Sequence, residues 1–345
     1  MNLSACIKKL KPLNPFRIAR GVKAFVDNVF IRIEDGGTVG YGEASPNKFY
    51  NETASDVCEK VSAIKGFLSD KNISSVTDIR TLWQEIWPLV QPSRAAQCGI
   101  DTALWDLLGK KRQSSVSRLI WNCAPRQLIS SCTLGLCEPP EWESRVTAVS
   151  KCPVLKVKMD EKGDVRFLQF IRSKTNATIR VDANCSWLSL DVPKLTSVLE
   201  AMQVEFVEQP LPPENNTAMP LILKKSKLPI LADESCTVAD DIPDLQGKFS
   251  GINIKLVKCG GITPAIEMIR IAHDLGLSVM IGCMLESNLL IAAGVAAAQK
   301  AEYADLDGSW LLRDKVFDGI EFENGIIAPN DRPGLGVSLC GGEEI

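Results

Sequence analysis

The chain has 345 residues, 45% of them hydrophobic, as expected of a soluble globular protein with one large domain or two smaller ones. Lys and Arg total 39 against 42 Asp and Glu, a formal charge of −3, so nucleic acid is not an expected partner. No apolar run is long enough for a membrane span. The N-terminal "MNLSACIKKLKPLN" lacks the apolar core of a signal peptide, so a cytoplasmic location is expected.

The first 118 residues read as an α+β unit. "NVFIRIEDGGTVGYGEAS" is a strand, an Asp-Gly-Gly turn and a second strand. "RAAQCGIDTALWDLLGKKR" carries Ile100, Ala103, Leu104, Leu107 and Leu108 at helical spacing and ends in a Gly-Lys-Lys-Arg stop. Residues 119–320 then repeat a strand-helix unit. The strands are "LISSCTLGL", "VLKVKMD", "TIRVDAN", "VEFVEQP", "PILADES", "GINIKL", "SVMIGCM" and "YADLDG". Their polar ends fall at Lys158, Asp182, Glu208, Asp233, Lys255, Cys283 and Asp307, at intervals of 24, 26, 25, 22, 28 and 24 residues. That is the length of one βα unit, and eight units make a TIM-type barrel. The Gly- and Pro-rich tail, residues 321–345, is expected to pack back on the N-terminal unit.

Catalytic groups in such a barrel sit at the C-terminal strand ends. Three consecutive strands, "VDAN", "VEQP" and "ADES", bring Asp182, Glu208 and Asp233 to one rim. Carboxylates so close repel one another unless a cation joins them. Oxygen-only ligands point to a hard ion, Mg²⁺ first, with Mn²⁺ able to substitute. Lys156 and Lys158 alternate on one strand, so both face the lumen, with Lys255 across the barrel. Lys158 and Lys255 would act as two bases on opposite faces of one carbon, with pKa values lowered by the ion and by burial. Lys156 would stabilise the oxyanion.

Twelve cysteines are scattered without a CxxC pair, which excludes a zinc pattern and favours reduced thiols. The one histidine, His273, lies inside a helical stretch far from any strand end.

The ordered set "KVK", "VDAN", "VEQP", "ADES" and "NIKLVKCGGI" resembles the enolase superfamily, in the muconate lactonizing enzyme subgroup. The resemblance covers nearly the whole chain. It implies a modified (β/α)7β barrel beneath an N-terminal capping domain. It also implies one Mg²⁺ per subunit on Asp182, Glu208 and Asp233, and an acid/base pair in Lys158 and Lys255. With no histidine near a strand end, the His–Asp dyad of the mandelate racemase type cannot be built. Asp305 and Asp307 in "YADLDG" resemble the Asp-x-Asp of dipeptide epimerases, where they would meet a peptide α-ammonium away from the metal. Glu286 in "CMLES" is expected near the site, and Arg17 and Arg20 could meet an acidic side chain. The resemblance therefore implies a dipeptide substrate inverted at its C-terminal residue, and possible homo-oligomers. N-acylamino acid racemase, o-succinylbenzoate synthase and cycloisomerase activities share the same frame. The chain departs from the relatives after "VDAN", where Cys185, Ser186 and Trp187 stand in place of Gln-Gly-Trp.

Overall fold

The computed structural model describes residues 1–18, 21–341 and 345. The chain opens with β1 (Asn2–Leu10), β2 (Phe16–Ile18), β3 (Gly21–Lys23), β4 (Val26–Asp35) and β5 (Thr38–Ala44). Helices α1 (Ala54–Ala63), α2 (Lys65–Ser69), α3 (Val76–Val90), α4 (Arg94–Lys111) and α5 (Val116–Trp121) follow. β1, β4 and β5 form an antiparallel sheet in that order, and β2 and β3 form a separate hairpin. The expected Asp-Gly-Gly turn joins β4 to β5, with Gly36 and Gly37 at φ of +58° and +80°. β1 was not expected. It is an edge strand whose alternation is broken by the exposed Ile7, so its pattern is weak.

α4 is buried on every side from Ala95 to Gly109. It lies between the cap sheet and the barrel, so its buried polar residues, Gln97, Asp101, Thr102 and Asp106, each need a hydrogen-bond partner. The close approach depends on missing side chains: a Cβ at Gly42 would lie 1.9 Å from the Gly99 carbonyl oxygen.

The barrel strands are β7 (Cys132–Leu134), β8 (Val154–Lys158), β9 (Thr178–Asp182), β10 (Val204–Glu208), β11 (Ile230–Ala232), β12 (Gly251–Lys255), β13 (Ser278–Gly282) and β14 (Tyr303–Asp305). They pair in parallel in sequence order, and a Ser130–Ala304 bridge brings the last strand back to the first. The segment expected as one first strand is divided. Leu128–Ile129 forms a separate β6, which pairs outside the barrel with β17 (Ile326–Ala328) of the tail. Two long helices matter for the site: α12 (Ile262–Asp274) after β12, and α13 (Asn288–Ala297) after β13. No helix among the described residues is long and apolar enough to cross a membrane.

Buried carboxylates on the cap hold these helices by their N-termini. Asp101 of α4 accepts hydrogen bonds from Thr263 N at 3.0 Å and Thr263 Oγ1 at 2.5 Å, in the first turn of α12. Glu43 of β5 accepts from Ser287 N at 3.0 Å and Ser287 Oγ at 2.5 Å, at the cap of α13. The free N–H groups of each helix start suit these acceptors, although burial outweighs them and raises both carboxyls. The tail joins the cap through Leu335 N, which donates to Asp106 Oδ1 at 2.8 Å.

The expectation of reduced thiols fails at one pair. Cys132 on β7 and Cys152, just before β8, form a disulfide with a Cα–Cα distance of 6.4 Å. The neighbouring parallel strands bring together residues 20 apart in sequence, a spacing that a search for CxxC does not detect. The other ten cysteines are thiols.

Candidate active site

The strand register sets the site. Lys158 pairs with Asp182 across β8 and β9, and Asp182 with Glu208 across β9 and β10. On the opposite side Lys255 pairs with Gly282, and Gly282 with Asp305. β8 and β12 are four strands apart in either direction around the eight-stranded barrel, so Lys158 and Lys255 face each other across it. Lys156, Lys158, Lys255, Asp305 and Asp307 all line one cavity beneath the cap.

Asp182 and Glu208 are fully buried, and Asp233 nearly so. One oxygen of each is held by a fixed donor. Asn184 N reaches Asp182 Oδ1 at 2.8 Å, Asn253 Nδ2 reaches Glu208 Oε1 at 2.8 Å, and Lys258 Nζ reaches Asp233 Oδ1 at 2.6 Å. The other oxygen of each turns to a lysine ammonium. Lys158 Nζ lies 2.6 Å from Asp182 Oδ2, Lys156 Nζ 2.8 Å from Glu208 Oε2, and Lys255 Nζ 2.8 Å from Asp233 Oδ2. Lys156 also reaches Asp182 Oδ2 at 3.2 Å and Asp305 Oδ2 at 2.6 Å.

Among the described residues no three carboxylate, thiol or imidazole groups converge as a finished metal cluster. The ammonium groups explain this, since they stand between the carboxylates. The donor set still fits a hard divalent cation. Three oxygens on adjoining strands are each satisfied by positive charge, and Glu208 Oε2 is buried without a hydrogen bond of good geometry despite its ion pair.

Electrostatics follow from this pairing. Burial raises the Asp182 carboxyl, but Lys158 and Lys156 outweigh burial and leave it well below the usual range. Asp233 behaves likewise, with Lys255 and Lys258 outweighing burial. Glu208 is pushed up to about 7 by burial and then by Asp182. The carboxylates act on Lys156 and Lys255 in turn. Burial lowers Lys156, yet Asp305, Glu208 and Asp182 carry it above the ordinary lysine range. Lys255 is also raised, because Asp233 outweighs its burial. The chain's own carboxylates set the sign at both, so the lowering expected for Lys255 does not follow from its burial alone.

Asp305 and Asp307 both reach the lumen, but Asp305 belongs to the carboxylate cluster through Lys156 and is not set apart from it. Its Oδ1 is buried without a hydrogen-bond partner. Asp307 Oδ2 accepts from Thr133 N at 2.6 Å, and burial followed by the nearby Asp305 pushes its carboxyl up to about 7. Glu286 is absent from the cavity wall. It is buried behind the loop formed by Cys283, Met284 and Leu285, accepts from Met284 N at 2.9 Å, and is pushed up to about 8 mainly by burial. The cap fixes this loop, since Asn28 Nδ2 donates to Leu285 O at 3.0 Å.

Arg17 does not line the catalytic cavity either. Phe16 and Ile18 do, and strand alternation turns Arg17 the other way, toward Glu138 Oε1 at 3.9 Å. Arg20 lies outside the described residues. Three further residues had no assigned role. Asn253 shares the lumen face of β12 with Lys255, so the period of two could have identified it. Lys258 follows Lys255 by one helical turn. Gln209 accepts from Asp233 N at 2.8 Å and Ser235 N at 3.1 Å, shaping the turn that carries Asp233.

A capped barrel with lysines opposed across three carboxylates defines a class of acid/base enzyme, and comparison with known proteins agrees. Residues 4–121 match the mandelate racemase/muconate lactonizing enzyme N-terminal domain, and residues 143–343 match the enolase C-terminal domain-like family. The chain belongs to the mandelate racemase/muconate lactonizing enzyme family of the enolase superfamily. It is 32% identical to an L-Ala-D/L-amino acid epimerase of Flavobacterium johnsoniae, over 96% of this chain and 97% of that one. It is 33% identical to a hydrophobic dipeptide epimerase of Roseobacter litoralis, over 96% of each. Its structure is similar to that of a dipeptide epimerase from Methylococcus capsulatus complexed with Mg and L-Arg-D-Lys. The TM-score is 0.87 and the identity 30%, covering 97% of this chain and 98% of that one.

Proposed function

We propose that this protein is a Mg²⁺-dependent dipeptide epimerase that inverts the α-carbon of the C-terminal residue by two-base proton transfer. The observation that carries the reading is the placement of Lys158 and Lys255 on strands four apart, in one cavity. A tetrahedral α-carbon held between them can lose its proton to one, become planar, and gain a proton from the other on the opposite face.

Asp182, Glu208 and Asp233 would hold the ion, with Mn²⁺ able to substitute. Bound there, Mg²⁺ supplies Lewis-acid stabilisation for negative charge developing on a substrate carboxylate. Lys156 adds a fixed positive charge on the same side. Lys158 or Lys255 takes the α-proton, giving enediolate character to the substrate, and the other lysine returns one. The apolar Phe16 and Ile18 of the cap line the cavity and would help exclude water from it.

The buried, unpartnered Asp305 Oδ1 and the neighbouring Asp307 favour a substrate amine over an N-acyl group. The same reading takes the protein to be cytoplasmic and its substrate to be a diffusible small molecule.

The test is incubation of L,L-dipeptides in D₂O with Mg²⁺, read by mass spectrometry. Deuterium is expected at the C-terminal residue's α-carbon. Inversion should fall at least ~100-fold in Lys158→Ala and in Lys255→Ala, within the usual range for loss of a general acid or base. Turnover of N-acylamino acids with no dipeptide exchange would replace this reading with a racemase.

A further inference from the structure

Two cavities meet at Thr133. Thr133, Phe16 and Leu311 bound the catalytic cavity, and the same three residues bound a second cavity beyond it. The second has a volume of about 140 Å³, against about 70 Å³ for the first. Its walls are mainly apolar, from Leu13, Leu134, Leu136, Val149 and Trp310. Arg17 and Arg145 also border it, each already facing a glutamate: Glu138 for Arg17 and Glu141 for Arg145.

Thr133 also marks the amine end of the site. Its N–H holds Asp307 Oδ2, and Asp305 Oδ1 next to Asp307 lacks a donor. An α-ammonium docked on these carboxylates therefore sits beside Thr133. The side chain of a dipeptide's first residue grows from the carbon that bears this ammonium, so it starts at the seam between the cavities. One side of the seam is filled with lysines and carboxylates. The other is apolar and larger.

We infer that the second cavity receives the side chain of the substrate's first residue, and that the enzyme prefers a large apolar first residue over alanine or glycine. The inference rests on the dipeptide reading above. Size supports it, because an apolar void of roughly 150 Å³ accommodates a benzene ring. A single methylene in such a pocket changes kcat/KM by about 10-fold or more.

The test compares kcat/KM for dipeptides beginning with Gly, Ala, Leu or Phe. The second residue is held at the best one from the D₂O screen. The wild type is expected to favour Leu or Phe over Ala at least ~10-fold. Ala148→Leu, which enlarges a side chain on the wall of the second cavity, should shrink that ratio severalfold. The ratio does not depend on how much enzyme is folded. A wild type that prefers Ala or Gly, or a ratio unchanged in Ala148→Leu, would overturn the inference and leave the epimerase reading intact. Absence of exchange with every dipeptide would remove both.

Discussion

Lys258 and Lys255 grip Asp233 from its two sides. Lys258 Nζ lies 2.6 Å from Oδ1, and Lys255 Nζ lies 2.8 Å from Oδ2. Lys258 also donates to the Asp233 carbonyl and to Asn253 O at 2.9 Å. One lysine fixes the carboxylate, and the other is left facing the cavity.

Lys258→Met should therefore destabilise the protein by about 3–5 kcal/mol, the usual cost of removing one partner from a buried ion pair. Part of the loss should be recovered when Mg²⁺ is added, because a cation replaces the missing charge. Urea unfolding with and without Mg²⁺ reads both effects. A loss under ~1 kcal/mol would contradict the clamp.

Asn253 is neutral, so its removal isolates orientation from charge. Asn253→Leu takes the donor from Glu208 Oε1. Mg²⁺ binding measured by calorimetry should weaken by about 10–100-fold, as is common when a partner that orients a metal ligand is lost. An unchanged affinity would show that Glu208 needs no such support.

Asp101 predicts a pH dependence of stability. Burial pushes its carboxyl from 3.8 up to about 7 in the folded chain, against the hydrogen bonds from Thr263. The folded state thus holds this proton more tightly than the unfolded state. Its contribution is most favourable below pH ~4 and declines as pH rises to ~7. Relative to the wild type, Asp101→Asn should gain stability by roughly 1–3 kcal/mol between pH 5 and pH 8, measured by urea unfolding at each pH. A difference that is flat with pH would refute the raised value.

Gly42→Ala places a methyl 1.9 Å from the Gly99 carbonyl oxygen, and backbone cannot give way as a side chain can. The cap sheet and α4 must separate. A loss of about 3 kcal/mol or more is expected in thermal unfolding, at the upper end for overpacking. A wild-type Tm would mean that the sheet and helix do not pack this closely.

Much of this arrangement is legible in the sequence because of period and spacing. Barrel strands end in polar residues at nearly equal intervals, so Lys158, Asp182, Glu208, Asp233 and Lys255 could be assigned to one rim without coordinates. Residues that act through others are harder to read. The period of two places Asn253 on the lumen face, but not its contact with Glu208, and nothing local distinguishes Lys258 from an ordinary polar residue. Arg17 could be expected to meet an acidic substrate side chain only while its segment reads as a loop; in the strand Phe16–Ile18 one residue decides the face. The sign of the lysine pKa shifts required knowing which oxygen each ammonium meets. The Cys132–Cys152 pair required knowing which strands are neighbours.

The central claim is that Lys158 and Lys255 serve opposite faces of one carbon. Deuterium exchange in Lys158→Ala and Lys255→Ala, each tested on both epimers of the same dipeptide, addresses it directly. Each variant should lose inversion but keep exchange without inversion on one epimer, and the two variants should keep it on opposite epimers. Inversion surviving in either variant, or both variants exchanging the same epimer, would contradict the two-base account.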